Sequence, residues 1–147
     1  MPDIHLSVDI ERPPEAVFDL LADIAHYHRW LPPSKTYSET VEISDSPIKQ
    51  GTTYVDRNST NVLYGEVIEY QPPTRIVFHQ ASEKPGLDVT IRYVLTPTAS
   101  GTHLERTTTI RTARLLRLLQ RLVVQRIREE NGRTLAALKA HLEAQAP

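Results

Sequence analysis

The stretch "VDIERPPEAVFDLLADIAHYHRWLPP", Val8 to Pro33, changes its periodicity part-way along. It begins as the tail of an alternating run, "DIHLSVDI", in which Ile4, Leu6, Val8 and Ile10 share one face of a half-buried strand. Pro13 and Pro14 then set up a helix start, where a missing amide is tolerated because no carbonyl stands ready to accept it. Val17, Phe18, Leu20, Leu21 and Ile24 recur at helical spacing and give a short helix one apolar face. Two histidines, a tyrosine and a tryptophan crowd into His26 to Trp30 before two prolines close the segment.

Outward from this stretch the chain reads as β structure. Strands are predicted over 37–45, 52–58, 61–71, 74–81, 86–96 and 102–112, with "QPPT" (71–74) and "TPTASG" (96–101) as tight connections between antiparallel neighbours. From about Arg114 to Ala144 the spacing becomes helical, with many good helix formers. The 147 residues, 39% apolar and 24% charged, suit one domain over 1–147 with a single core. A net charge of −1 provides no global field for nucleic acid or an anionic membrane, so neither nucleic acid nor integral membrane contact is expected. With no cysteine, disulfides, thiolate zinc sites and thiol catalysis are excluded. No run approaches the ~20 apolar residues of a membrane span. The N-terminus has acids and prolines where a signal peptide needs a basic patch and an apolar run, so a cytoplasmic domain is expected.

The element order predicts an α+β fold, a curved antiparallel β-sheet of about seven strands wrapped around a long C-terminal helix, with two short helices after strand 1. A helix of roughly 30 residues is about 45 Å long. It does not fill a deeply curved sheet, and a cavity between the two is the expected by-product.

The chain resembles the helix-grip superfamily of START lipid-transfer domains, polyketide cyclases and birch-pollen-allergen-like proteins (SRPBCC). The resemblance rests on the opening stretch, then "YGEVIEYQPPTRIVFHQ", "VTIRYVLTPTASGTHLERTTTI" and "RTLAALKAHLEA". Asp23, Trp30 and Pro32 fit the family's pattern of an aspartate, a tryptophan and a following proline. The resemblance implies a cavity for a small hydrophobic or amphipathic molecule such as a lipid, polyketide, quinone or aromatic compound. The alternative it leaves is a cyclase- or aromatase-type enzyme working in that cavity. It implies no cofactor, and the family shares no catalytic signature.

Candidate site residues come from polar side chains on apolar faces. In "THLERTTTI", Leu104, Arg106, Thr108 and Ile110 share a face, and in "LDVTIRYVL" Leu87, Val89, Ile91, Tyr93 and Leu95 do. Arg106, Thr108 and Tyr93 are therefore candidate cavity contacts, as is Tyr64, although the register around Gly65 is open. Arg106 has a competing reading, as an ion-pair partner of Glu66 or Glu105. His79, with Tyr64 and Arg106, is a candidate proton carrier. His26 and His28 lie ~200° apart on a helix and cannot share a metal, so no metal is expected. Trp30 either packs the short helices onto the sheet with Tyr27 or lines the cavity mouth as a candidate ligand contact.

The long helix adds Leu119, Val123 and Arg126. Arg114, Arg117, Arg121 and Arg128 fall within an arc of about 60°, opposite Leu115, Leu118, Leu119, Leu122 and Val123. Arg126 projects from the apolar side, either into the cavity or towards Glu130 four residues on. The second half of the helix uses Val124, Ile127, Leu135, Leu138 and Leu142, about 100° around from the first group. Either the helix bends near Asn131-Gly132, or residues 115–122 bury a second face against a partner subunit, a membrane surface or a loop. A homodimer and a protein-interaction module built on this Arg/Leu helix thus stand as further readings.

Overall fold

The computed structural model describes residues 2–34, 37–59, 61–84 and 86–145, and the side chains of residues 115 and 116 lie outside the description. Seven antiparallel strands form one sheet in the order β1-β7-β6-β5-β4-β3-β2. They are β1 (Asp3–Ile10), β2 (Glu39–Val41), β3 (Thr53–Arg57), β4 (Val62–Gln71), β5 (Arg75–Ser82), β6 (Leu87–Pro97) and β7 (Thr102–Thr112). Between β1 and β2 lie α1 (Pro14–Ala22) and a 3₁₀ segment (Ile24–Arg29), and α2 (Gln120–Ala144) ends the chain. This is the expected helix-grip α+β architecture.

Three boundaries correct the sequence reading. The strand expected over 37–45 shrinks to three residues, because Glu42 adopts a left-handed backbone (φ 53°) that ends the pleat. The register change in β4 falls between Val67 and Glu69 rather than at Gly65. Leu63, Gly65 and Val67 therefore face the interior, and the bulge lets Tyr70 join them against Phe18.

The helix expected from Arg114 is a 3₁₀ segment over Arg114–Leu119 and becomes α-helical only at Gln120. Leu119, at φ −102° and ψ 5°, resets the phase between the two. That reset changes the phase of Leu118 and Leu119 relative to α2, whose core stripe is Leu135, Leu138 and Leu142. The helix runs unbroken past Asn131 and Gly132, and Leu118 and Leu122 are exposed instead of burying a second face. Leu115 of the same apolar group lies outside the described side chains.

The core lies where α1 and the second half of α2 meet the concave face. Leu135, Leu138 and Leu142 of α2 join Val17, Phe18 and Leu21 of α1 there. Gly101, in the β6–β7 turn, passes so close to β1 that a Cβ would stand 2.1 Å from the Ile10 carbonyl oxygen. Polar ties hold α2 to the end of β1 and to the segment after Trp30. The Lys139 ammonium donates to the Asp9 carbonyl, and the Glu143 carboxylate accepts the Glu11 amide at 3.0 Å. The Arg133 guanidinium donates to the Pro32 carbonyl and to Glu130 at 2.7 Å, fastening the segment after Trp30 to the helix. Arg133→Ala is expected to lower unfolding stability by about 1–2 kcal/mol, with faster amide exchange around Leu31 as its local signature.

Candidate functional site

Glu130 and Thr134 of α2, residues of the 3₁₀ segment and the concave face of the sheet enclose a cavity of about 130 Å³. Its apolar wall comes from the inward positions of neighbouring strands: Leu63 of β4, Phe78 of β5 and Ile91 of β6, with Ile24 and Leu31 closing the far side. Tyr54, Phe78 and Tyr93 form a row of edge-to-face rings with centroids 6.0 and 6.4 Å apart. Such contacts fix each ring's tilt as well as its position.

Two polar groups punctuate this wall. The first is Arg106, buried by the alternation of β7 between Leu104 and Thr108. Its guanidinium donates to the Tyr93 hydroxyl and, at 3.4 Å, to Thr108 Oγ1, and it lies 5.2 Å from the Tyr93 ring centroid. Thr108 is in turn held by the Asn131 amide at 2.9 Å, which locks α2 to β7 behind the arginine. Among the described residues no carboxylate pairs with Arg106. Glu66 and Glu105, its expected alternatives, lie on the opposite face of their strands. A buried guanidinium without a close counter-ion carries a desolvation cost that an anionic group beside it would offset.

The second polar group is a relay around Asp56, which follows Tyr54 on the inward face of β3. Tyr37 Oη bonds Thr40 Oγ1 at 2.9 Å, and Thr40 donates to Asp56 Oδ1 at 2.6 Å. The Gln80 amide donates to Asp56 Oδ2 and to Tyr54 Oη, both at 2.8 Å. Tyr54 Oη thus accepts from Gln80 and keeps its own proton to donate. Burial pushes the Tyr27, Tyr37 and Tyr54 phenols above their ordinary value, so they remain donors at neutral pH. Burial also raises the Asp56 carboxyl to about 6, against the pull of the Thr40 and Gln80 hydrogen bonds.

The raised value has a sign. Because the folded value lies above the ordinary 3.8, Asp56 supports folding fully below pH 3.8 and loses that support as pH rises towards about 6. Asp56→Asn is expected to flatten stability across that window and to raise it at neutral pH by on the order of 1–3 kcal/mol. Urea unfolding from acid to neutral pH measures both effects.

Of the residues singled out from sequence, Arg106 and Tyr93 line the cavity, and Thr108 orients Arg106. Trp30 is buried against Tyr27 with ring centroids 5.0 Å apart, and it forms core behind the wall rather than the lining. Tyr64 faces outward, half exposed, with its hydroxyl on Glu83. His79 faces outward too, bonded to Asp88, so His79, Tyr64 and Arg106 do not converge. Arg126 is exposed, and Glu130 pairs with Arg133. Leu119 is half exposed and Val123 partly so, and neither lines the cavity. His26 bonds Asp23 at 2.8 Å and meets the His28 ring edge-on. Among the described residues no three His, Asp or Glu side chains gather at metal-ligand geometry.

A family model described as "Polyketide cyclase / dehydrase and lipid transport" matches residues 1–143. The chain belongs to that polyketide cyclase / dehydrase family. Solved structures share the fold of this family member. A Mesorhizobium loti protein is 20% identical with a TM-score of 0.78, covering 99% of this chain and 100% of its own. A Thermus thermophilus protein is 19% identical with a TM-score of 0.76, again over 99% and 100%. The di-domain ARO/CYC StfQ from the steffimycin biosynthetic pathway is 16% identical with a TM-score of 0.79, over 97% of this chain and 51% of its own. At these identities the likeness is one of fold. No curated protein matches the chain. Among the described residues no helix is long and apolar enough to cross a membrane.

Proposed function

We propose that this cyclase-family protein binds a small amphipathic aromatic molecule, one ring of which occupies the cavity with an acidic oxygen on Arg106. The observation that carries this reading is the buried, counter-ion-free guanidinium at the edge of an aromatic cavity. Size supports it as well: about 130 Å³ is close to the ~150 Å³ of an engineered cavity that takes up benzene. A polyketide or a lipid would enter ring-first or tail-end-first and leave the rest outside. The test is titration with 4-nitrophenol and with toluene, which share a ring but not an ionisable oxygen. Preferred binding of nitrophenol, with its absorbance shifted to the phenolate form, supports the reading. Equal binding of the two, or none, overturns it.

A second reading is favoured by one observation, the Asp56 carboxyl at about 6. A group with that value gives and takes protons near neutral pH, as a cyclase- or dehydratase-type step requires, while Arg106 would hold the developing enolate. Enzyme and binder separate in the pH profile: turnover of a poly-β-keto thioester that is lost in Asp56→Asn, with ring binding intact, selects the enzyme.

A further inference from the structure

From Arg106 to Arg128 the chain contains no acidic residue, whereas its net charge is −1. Beyond the buried Arg106, Arg111, Arg114, Arg117, Arg121, Arg126 and Arg128 are all exposed, and none is in an ion pair with a described residue. Set among them are Leu118, Leu119 and Leu122, exposed to 94, 50 and 64%. They are three of the five exposed large apolar side chains among the described residues. Leu118 and Leu119 lie on the 3₁₀ segment and Leu122 in the first turn of α2, which continues into the core beyond them. Among the described residues no carboxylate pairs with these cations, and the three leucines are left exposed.

We propose that residues 114–128 form a docking surface for an anionic lipid bilayer. Arginines ringing a small apolar tip suit a headgroup layer: the cations stay with the phosphates and the leucines reach the acyl boundary. The alternative occupant, a second copy of the chain, would bring two five-arginine surfaces together across a two-fold axis. Docking in this pose also places the cavity near the lipid. Glu130, which lines the cavity, follows Leu122 by eight residues, about 12 Å along the helix. The proposal is independent of which molecule the cavity holds.

The test is vesicle flotation of the full-length protein. Vesicles of phosphatidylglycerol and phosphatidylcholine in equal parts are compared with phosphatidylcholine alone. The expected result is flotation with the anionic vesicles only, abolished by high salt. The double variant Arg117→Gln/Arg121→Gln is expected to weaken partitioning by about tenfold or more. Leu118→Ser/Leu122→Ser is expected to weaken it too, with the thermal midpoint unchanged because both side chains are already exposed. Equal flotation with neutral vesicles, no flotation at all, or indifference to both variants overturns the proposal. So does a solution dimer that Leu118→Ser/Leu122→Ser dissociates, which would assign the face to a second copy.

Discussion

Replacing Arg106 with methionine is expected to weaken nitrophenolate binding by roughly 10- to 100-fold, while toluene binds as before or more tightly. The range is that of a charge-assisted hydrogen bond of about 1.5–3 kcal/mol. Methionine keeps much of the stem's volume, so the wall at Tyr93 and Ile91 is retained. The same substitution is expected to leave the stability of the ligand-free protein unchanged or raised. Arg106 is buried beside a ring and two hydroxyls, without a described carboxylate, and its desolvation is only partly offset. A structural ion-pair residue behaves oppositely, because its removal strands a buried partner and costs several kcal/mol. Parallel titration and urea unfolding of Arg106→Met therefore distinguish a binding residue from a structural one. A large loss of stability with unchanged nitrophenolate affinity sinks the binding assignment.

Gly65→Val is expected to lower stability by about 2–4 kcal/mol and to abolish ring binding together with it. A Cβ at residue 65 would stand 2.2 Å from Tyr54 Cζ and 2.4 Å from its Cε2. The ring of Tyr54 lies across Gly65 because the two are register partners on β3 and β4. It has one direction in which to yield. Phe78 abuts it edge-on and Gln80 holds its hydroxyl, so displacement sends the ring into the cavity and breaks the Gln80 bond. Gly65 is thus the space in which Tyr54 lies, and the cavity exists because that ring lies flat. Urea unfolding and nitrophenol titration of one variant measure both consequences. Retention of ring binding by a folded Gly65→Val would show that Tyr54 does not bound the cavity.

These two residues also show what the sequence made legible. Arg106 stood out because β7 alternates from Thr102 to Ile110, and an arginine in phase with Leu104 and Ile110 has to point inward. Tyr93 followed from the same logic on β6. Asp56 and Gln80 gave no such signal. Asp56 lies on a five-residue strand, too short for its phase to be read, and Gln80 follows Phe78 near the end of β5. Tyr37 lies in the irregular approach to β2, and Thr40 is the middle residue of that three-residue strand, too short for periodicity to be read. Their meeting depends on the pairing of β2, β3, β4 and β5, a long-range property that no local pattern encodes. Leu119 and Val123 were misplaced for a different reason. For Leu119, a helical projection from Arg114 assumes about 100° per residue, whereas the 3₁₀ turns up to Leu119 advance by about 120°. Val123, inside α2, lies off the stripe of Leu135, Leu138 and Leu142 that meets the core.

The ties from α2 to β1 bear on how the protein survives in a crowded solution. β1 is the last strand on its side of the sheet, eight residues long, and such an edge is a template on which another chain can add a strand. Lys139 occupies the Asp9 carbonyl and Glu143 the Glu11 amide, so the final turns of the helix fill hydrogen-bonding positions that a foreign strand would use. The opposite edge, β2, is three residues long and gives little to copy. Resistance to aggregation and closure of the ligand cavity thus rest on one helix. Loosening its C-terminal end would release a sticky strand as well as an open cavity.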